Sequence, residues 1–370
     1  MAENPRFGRL NTAWVIKRIP SVTMHKLSAA WHQSESYANQ QRQLATIILE
    51  QVLPTLSVPV NMPSPTTWTV RHVVRPVHDT CVVLIGPAGQ PFTAVMKIPH
   101  TQRTVIGLQR HSRALKLLHA DARLDSWCTL IPTLLAEGVI DGQHYVIEQA
   151  MPGHNAQGLL NDPEVASRVQ LSGAEAIRQF HKATASAITV EATVFERWVG
   201  VPLQVLSYWN ESLPSSMRYN TAIRELSSQL RRSLSGLDLT ASWTHGDLWC
   251  ANLLTARDGS KITGIIDWEF AAADDLPQLD QVQFLIATRM DLRGGQLAST
   301  TVELLKGRSW LPHEQSILDS AQLPGDTVDV RTLLLLNWLR RVAVDLIKAT
   351  GFRGELFWEA RNVKPVLQNL

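Results

Sequence analysis

The sequence is poor in cysteine. Its three cysteines, Cys81, Cys128 and Cys250, lie far apart, and none of them forms a Cys-x-x-Cys pair. The spacing therefore indicates neither a zinc site nor a disulfide framework, and an odd number of thiols fits a reducing cytosol better than secretion. The first ten residues lack the apolar core of a signal peptide, so we expect a cytoplasmic protein.

An excess of one charge and a long apolar run are also missing. The net charge is only +2 over 370 residues, which gives no reason to expect a nucleic-acid or membrane partner. The most apolar stretch, residues 333–347, is interrupted by Arg340, Arg341 and Asp345, and is too short and too charged to span a bilayer. Composition leaves open whether the protein is a monomer or a homodimer.

Several common catalytic motifs are absent from the sequence. It contains no Walker A motif, no Gly-x-Ser-x-Gly elbow and no His-Glu-x-x-His pair. These absences disfavour a P-loop enzyme, an α/β-hydrolase and a zinc peptidase. The hydrophobic content of 45% nevertheless predicts a folded protein with a substantial core.

The order of hydrophobic patterns predicts an α+β fold with two lobes. We expect a helical N-terminal extension over residues 1–60, an N-lobe with a small antiparallel sheet over 61–150, and a larger, mainly helical C-lobe over 151–370. In the N-lobe, strands are predicted at 68–74, 81–85, 92–98, 134–138 and 144–149, with one helix at 103–120. In the C-lobe, helices are predicted at 163–187, 200–212, 216–235, 278–292, 296–307 and 329–350, with a hairpin formed by 252–255 and 261–266.

The most specific signal is a set of polar residues around that hairpin. Residues 245–252 read His-Gly-Asp-Leu-Trp-Cys-Ala-Asn, and residues 265–269 read Ile-Ile-Asp-Trp-Glu. Phosphoryl transfer needs a carboxylate that takes the proton of the acceptor hydroxyl, and Asp247 suits that task. It also needs hard oxygen ligands for Mg²⁺, and Asn252 and Asp267 suit that one. Such residues are commonly turn or cap residues, but three of them at this spacing favour the catalytic interpretation.

This pattern resembles that of the aminoglycoside phosphotransferase and choline kinase family, which is related to the protein kinases. The resemblance covers roughly residues 68–290, and it implies a protein-kinase-like fold that uses ATP, with GTP not excluded, and Mg²⁺. It also implies that Lys97, in the strand Ala-Val-Met-Lys, contacts the α- and β-phosphates. Backbone groups of Glu148, Gln149 and Ala150 would bind adenine in the hinge.

Three departures from the family pattern stand out. The loop between the first two strands, residues 75–80, contains no glycine, although protein kinases use glycines there to approach the phosphates. The helix that should supply a glutamate to Lys97 has His111 at the expected position and no acid nearby. Lys97 either lacks its usual partner or takes another. Residues 1–60 do not match the kinase core and are interpreted as an extra helical cap.

Other polar residues receive plainer interpretations. We expect His245 to be a buried anchor of its loop, and Trp249 and Trp268 to be packing residues. Asp280 is expected to cap the helix that follows Pro277. The remaining charged groups are interpreted as solvated surface or an exposed helix face; they are Glu269, Asp274, Asp275, Arg340 and Arg341.

The sequence thus predicts an ATP-dependent phosphotransferase that acts on a hydroxyl of a small molecule, such as a sugar, an aminoglycoside or an amino alcohol. The alternative is a kinase-fold binding or regulatory protein with weak or lost activity, suggested by the glycine-free loop and the missing glutamate. A protein kinase is the least favoured choice, because no Ala-Pro-Glu segment and no long activation loop follow Asp267.

Overall fold

The computed structural model describes residues 24–60, 62–74, 80–321, 328–348 and 356–370. Residues 75–79, which form most of the glycine-free loop, lie outside this set. The main helices are α1 (Met24–Val52), α2 (Gln102–Ala120), α3 (Pro163–Thr184), α4 (Val201–Glu211), α5 (Asn220–Leu234), α6 (Gln278–Arg293), α7 (Leu297–Leu305), α8 (Pro312–Ala321), α9 (Val330–Lys348) and α10 (Leu356–Asn362). The strands are β1 (Trp68–Val74), β2 (Thr80–Pro87), β3 (Ala94–Pro99), β4 (Leu134–Ile140), β5 (Gln143–Gln149), β6 (His154–Asn155), β7 (Ser186–Thr189), β8 (Asp238–Thr244), β9 (Leu253–Thr255), β10 (Ile262–Ile265) and β11 (Ala272–Asp275).

The N-lobe is built on a five-stranded antiparallel sheet with the strand order β1-β2-β3-β5-β4. The strands β4 and β5 form a hairpin whose two turn residues, Asp141 and Gly142, have φ values of 50° and 77°. Positive φ at both positions is the conformation of a type I′ turn, which matches the twist of the two strands. The five strands and the helix α2 that the sequence predicted in this region are confirmed.

The two faces of this sheet carry different side chains and pack against different helices. Side chains alternate along a strand, so Met96 and Ile147 point to one face while Lys97 and Glu148 point to the other. The first face packs against α1 and forms a separate apolar core with residues such as Ile48. Helix α2 packs against the second face, on β3, β4 and β5. The extension therefore covers the side of the sheet that is opposite to Lys97.

The C-lobe is mainly helical and encloses the larger apolar core. Helices α3, α6 and α9 contribute fully buried side chains such as Phe180, Phe284 and Trp338. All six predicted helices of this lobe are confirmed, with ends that shift by a few residues. None of the helices in the described part of the chain combines the length and apolarity that a membrane crossing needs.

The C-lobe also contains two small antiparallel sheets of three strands each. One has the order β10-β9-β6 and contains the predicted hairpin, and the other has the order β11-β8-β7. The second sheet and helix α8 were not predicted. The strands β7 and β11 have four residues each, Ser-Ala-Ile-Thr and Ala-Ala-Asp-Asp, and so short a polar segment shows no hydrophobic period.

Candidate active site

The pairing of strands brings Asn252 and Asp267 to the same end of the β9–β10 hairpin. Leu253 is paired with Ile265, and the Ile266 N–H donates to the Asn252 carbonyl at 2.9 Å. Asn252 immediately precedes one strand and Asp267 follows the other by two residues. The spacing of fifteen residues between them is therefore the length of this hairpin plus its turn.

Asp247 lies on the loop between β8 and that hairpin. Its side chain is buried, with only 7% of the residue exposed, and its carbonyl accepts a hydrogen bond of 2.9 Å from the Asn252 amide nitrogen. This bond orients the amide so that its oxygen, not its nitrogen, is the candidate metal ligand. The two motif residues are thus brought together by a direct contact.

His245 is fully buried and shapes the loop from within. Its Nε2 donates to the Ile266 carbonyl at 2.9 Å, and its Nδ1 accepts from the Asp247 N–H at 3.3 Å. The imidazole thereby links the Asp247 segment to the segment that carries Asp267. Both ring nitrogens are used in these contacts, as expected of an anchor and not of a proton carrier.

Gly246 is required by the geometry of this loop. Its φ of 77° lies in the left-handed region, and a Cβ placed there would meet the Phe270 carbonyl oxygen at 2.3 Å. A side chain would therefore be strained and would also collide with backbone. The glycine of the motif allows the chain to turn tightly just before Asp247.

Asp280 anchors the loop, and its predicted role as a helix cap is wrong. It lies in the first turn of α6, whose N-cap position is Pro277. Its carboxylate accepts from the backbone N–H groups of His245 and Gly246 at 2.7 and 2.9 Å, and it contacts His181 Nε2 at 3.0 Å. Burial alone would raise the pKa of Asp280, but the hydrogen bond and charge of His181 lower it.

Lys97 and Asp267 form an ion pair across the two lobes, with Nζ and Oδ1 2.7 Å apart. Asp267 has a φ of 64°, which is strained for a residue other than glycine and is typical of functional positions. Its side chain is 51% exposed, so the carboxylate faces the space between the lobes. The charge of Lys97 holds the pKa of Asp267 well below its usual value.

Of the two possibilities left open for Lys97, the second holds: another residue, Glu148, is its second partner. Glu148 Oε1 lies 2.9 Å from the Lys97 Nζ, and its other oxygen, Oε2, lies 2.5 Å from His111 Nε2. Burial alone would lower the pKa of Lys97, but the charges of Asp267 and Glu148 raise it above its usual value. An acid in the apolar strand Tyr-Val-Ile-Glu, on the same face as Lys97, is the signal that could have identified this pair.

Two backbone N–H groups of the predicted hinge already have hydrogen-bond partners. The Gln149 N–H donates to the Thr133 carbonyl at 2.8 Å, and the Ala150 N–H donates to the Thr93 carbonyl at 3.0 Å. An adenine that used either N–H would have to displace one of these carbonyls. The Glu148 side chain points away from this edge to Lys97, so its structural role differs from that of its two neighbours.

Two arginines of α9 meet acids of the C-lobe, so their interpretation as an exposed helix face is wrong. Arg341 forms an ion pair with the Asp247 carboxylate and contacts Asp345 at 3.3 Å. Arg340 holds Asp275 through two hydrogen bonds of 3.0 and 2.5 Å. Asp275 is buried and not solvated as expected, because its carboxylate pairs with this guanidinium.

The other residues of the Asp-Trp-Glu segment pack beside the site. Trp268 is fully buried, donates to the Ile265 carbonyl at 2.7 Å, and stacks near His245 with ring centroids 4.7 Å apart. Glu269 is half-buried, and a Cβ added at Gly107 of α2 would lie 2.6 Å from its Oε2. Glu269 therefore lies against α2 and is not an open surface acid.

The donor set fits a magnesium ion that is shared with a substrate. No group of three or more His, Cys, Asp or Glu side chains in the described residues is arranged as a metal site. Mg²⁺ is usually held by one or two protein oxygens together with phosphates and water, and not by a closed protein cage. One carboxylate at Asp267 and one amide oxygen at Asn252 meet that need.

The sequence model of the APH family, described as the phosphotransferase enzyme family, matches residues 78–298, which is more than half of the chain. The chain belongs to the phosphotransferase enzyme family. The matched range contains β3, residues 148–150, the loop that carries Asp247 and the β9–β10 hairpin. The chain is therefore a phosphotransferase, and its two lobes form an α+β fold.

Solved structures of phosphotransferases are similar to the chain at low sequence identity. An aminoglycoside 2′-phosphotransferase IIIa variant with GDP is 16% identical with a TM-score of 0.49, over 89% of this chain and 97% of that one. Spectinomycin phosphotransferase APH(9)-Ia, with ADP and spectinomycin, is 15% identical with a TM-score of 0.45, over 81% and 92%. The phosphotransferase APH(3″)-Id from Streptomyces rimosus is 16% identical with a TM-score of 0.44, over 74% and 93%. No curated protein matches the chain.

Proposed function

We propose that this phosphotransferase moves the γ-phosphate of ATP to a hydroxyl group of a small molecule. The observation that carries the proposal is the convergence of Lys97, Asp247, Asn252 and Asp267 between the lobes. Lys97 and Asp267 are 170 residues apart in the sequence, yet their charged groups are 2.7 Å apart. Asn252 contacts Asp247 directly, and His245 ties both halves of the motif together.

In this proposal Asp247 is the catalytic base. It accepts the proton of the acceptor hydroxyl while that oxygen attacks the γ-phosphorus, the bond from this phosphorus to the β,γ-bridging oxygen breaks, and ADP leaves. Because Arg341 already pairs with the Asp247 carboxylate, the acceptor hydroxyl shares this carboxylate with the guanidinium. We expect the C-lobe helices to form the pocket of the acceptor.

Three residues bind the nucleotide phosphates in this proposal, directly or through Mg²⁺: Lys97, Asn252 and Asp267. Lys97 contacts the α- and β-phosphates and neutralises part of their charge, while Asn252 and Asp267 supply oxygen ligands to Mg²⁺. The bound metal supplies charge neutralisation on the phosphates. Catalysis on these residues is mainly positioning and electrostatic stabilisation, because the transition state of phosphoryl transfer is loose.

The proposed acceptor is a sugar, an aminoglycoside or an amino alcohol, and GTP is a possible alternative donor. The adenine would bind at the hinge edge of Glu148, Gln149 and Ala150. Two of the N–H groups there already donate to Thr93 and Thr133. We therefore expect nucleotide binding to move the start of β3 relative to Ala150.

The direct test is phosphate transfer from radiolabelled ATP to a panel of sugars, aminoglycosides and amino alcohols, together with acceptor-free ATP hydrolysis. We expect the wild type to turn over ATP and Asp247→Asn to lose roughly 10²–10⁴-fold in rate, the usual contribution of a general base. Unchanged Mg·ATP binding and an unchanged melting temperature would show that the variant is folded. Equal turnover in Asp247→Asn would refute the proposal.

A second candidate is a silent nucleotide-binding protein of the same fold, and the Arg341–Asp247 ion pair is the observation that favours it. A base held by a guanidinium is less available to a hydroxyl. The missing glutamate no longer supports this candidate, because Glu148 supplies the carboxylate. Mg·ATP binding without transfer to any acceptor and without hydrolysis would support it.

A further inference from the structure

The partner of Lys97 comes from a strand of the sheet and not from the helix that packs on it. Glu148 is the next-to-last residue of β5. In the β3–β5 pairing it lies opposite Val95, which is two residues from Lys97 and on the same face of the sheet. The helix α2 contributes His111, which reaches the far oxygen of the same carboxylate. A chain of three polar groups therefore runs from Lys97 through Glu148 to the helix.

All three members of this chain are buried. Lys97, Glu148 and His111 are 8%, 3% and 2% exposed. A buried carboxylate is costly unless both of its oxygens have partners, and here Lys97 takes one oxygen while His111 takes the other. The charges of Lys97 and His111 lower the pKa of Glu148 although burial alone would raise it.

Among the residues that the structure describes, the His111 side chain makes no other hydrogen bond. Its Nδ1 is buried without a hydrogen-bond partner, so the whole polar contact of the imidazole goes to Glu148 through Nε2. The contact joins α2 to the central part of the sheet. The position of the helix and the position of the Glu148 carboxylate are consequently set together.

Glu148 differs from Asp267, the other partner of Lys97, in what it is available for. Asp267 is half-exposed in the cleft and is a proposed metal ligand, so its bond to Lys97 is shared when the nucleotide binds. Glu148 lies behind Lys97 and is shielded from the cleft. Glu148 is therefore the carboxylate that can hold Lys97 both in the nucleotide-free protein and when the nucleotide is bound.

We propose that Glu148 and His111 are positioning residues that hold Lys97 against the nucleotide phosphates, and that together they replace the glutamate that kinases carry on this helix. The inference rests on the proposed function, in which Lys97 contacts the phosphates. It predicts that the negative charge behind Lys97 matters, and that it can be moved from the strand to the helix.

The test is a cycle of four proteins: the wild type, Glu148→Gln, His111→Glu, and the variant with both changes. Two quantities are measured for each, the Kd for Mg·ATP by calorimetry and the melting temperature of the nucleotide-free protein. Glu148→Gln leaves Lys97 with an amide, and we expect Kd to rise about tenfold or more, as for a lost bond to a charged group. His111→Glu places two carboxylates in contact and should lower the melting temperature.

The double variant decides the question. Its amide at position 148 can accept from Lys97 and donate to the new carboxylate at position 111, so the cluster again contains one carboxylate. We expect it to bind Mg·ATP more tightly than Glu148→Gln and to melt higher than His111→Glu. Effects of the two changes that simply add in both measurements would overturn the proposal.

A matched control separates positioning from general stability. Glu314 is a glutamate of the C-lobe, 1% exposed, whose carboxylate pairs with Arg289. We expect Glu314→Gln to lower the melting temperature without changing the Kd for Mg·ATP. If Glu148→Gln does not fold, His111→Gln is measured in its place; it keeps the Lys97–Glu148 pair and should raise Kd less than tenfold but measurably.

Failure of this inference and failure of the proposed function give different results. A wild type that does not bind Mg·ATP refutes the proposed function and the inference with it. A wild type that binds, with Glu148→Gln binding equally well, refutes only the positioning role. In that case the melting temperatures alone would report a structural ion pair.

Discussion

The loop that carries Asp247 and the side chain of Lys97 are held in place in two different ways. In the loop, the backbone N–H groups of His245 and Gly246 donate to the Asp280 carboxylate, and the His245 ring donates to the Ile266 carbonyl. Lys97 is fixed by side-chain ion pairs with Glu148 and Asp267. Backbone bonds depend on particular residues at particular φ and ψ values, whereas an ion-pair partner can be supplied by any element within reach. The geometry of the loop therefore depends on its own residues, whereas Lys97 takes its partner from the strand β5.

The largest effect is expected where the backbone bonds of the loop are removed. Asp280→Asn removes the negative charge that faces His181. It also replaces the carboxylate that accepts from two backbone N–H groups with an amide, which has one acceptor oxygen. We expect a loss of roughly 3–5 kcal/mol in the free energy of unfolding, as for other broken buried pairs, measured by urea denaturation at pH 7. The control is Asp329→Asn, since the carboxylate of this exposed Asp accepts from the N–H and the hydroxyl of Thr332 at the start of α9, and Asn caps a helix equally well.

The pH dependence of that difference follows from the lowered pKa of Asp280. A carboxyl whose pKa is lower in the folded state stabilises the protein above its unfolded pKa of about 4, and this contribution is lost as the pH falls towards the folded value. The stability gap between wild type and Asp280→Asn should therefore be constant from about pH 5 to 7 and shrink below about pH 4. A gap that widens on acidification would contradict this assignment.

A smaller loss is expected from Gly246→Ala, which tests the local geometry of the loop. The left-handed conformation alone costs about 1–2 kcal/mol for a residue with a Cβ, and the contact with the Phe270 carbonyl adds to it. Gly294 is the matched control, because its φ is 69° and a Cβ there meets nothing within 4 Å. Equal losses in the two alanine variants would show that the Phe270 contact relaxes and that the loop is less rigid than we infer.

The smallest effect concerns the ion pair between Arg341 and Asp247. If Arg341 orients Asp247 for the acceptor, Arg341→Met should lower turnover by about tenfold, as expected for a lost bond to a charged group. Arg340→Met is the control, since Arg340 pairs with Asp275 and not with Asp247. A rise in turnover in Arg341→Met would mean that the guanidinium inhibits Asp247. An ion pair would then control Asp247, and its loop would no longer differ from Lys97 in this respect.

The sequence predicted the parts of the site that depend on local spacing. The predicted hairpin accounts for Asn252 and Asp267 at the same end of two paired strands, and the family resemblance picked out Lys97 on the third strand. It did not predict the roles of Asp280, Glu148 and Arg341, because each acts on a partner between 34 and 94 residues away. An isolated acid on a helix start resembles a cap, and two arginines on a helix resemble an exposed face. Only the packing of α6 and α9 against the loop distinguishes these possibilities.

The central claim is that Asp267 and Lys97 together form a metal-dependent nucleotide site. The most direct measurement is a calorimetric titration of ATP into the wild type and Asp267→Asn, each with Mg²⁺ and with EDTA. We predict binding to the wild type that is at least about tenfold tighter with Mg²⁺, and a loss of this metal dependence in the variant. Binding of ATP that is equally tight in all four titrations, or no binding in any, would contradict the claim.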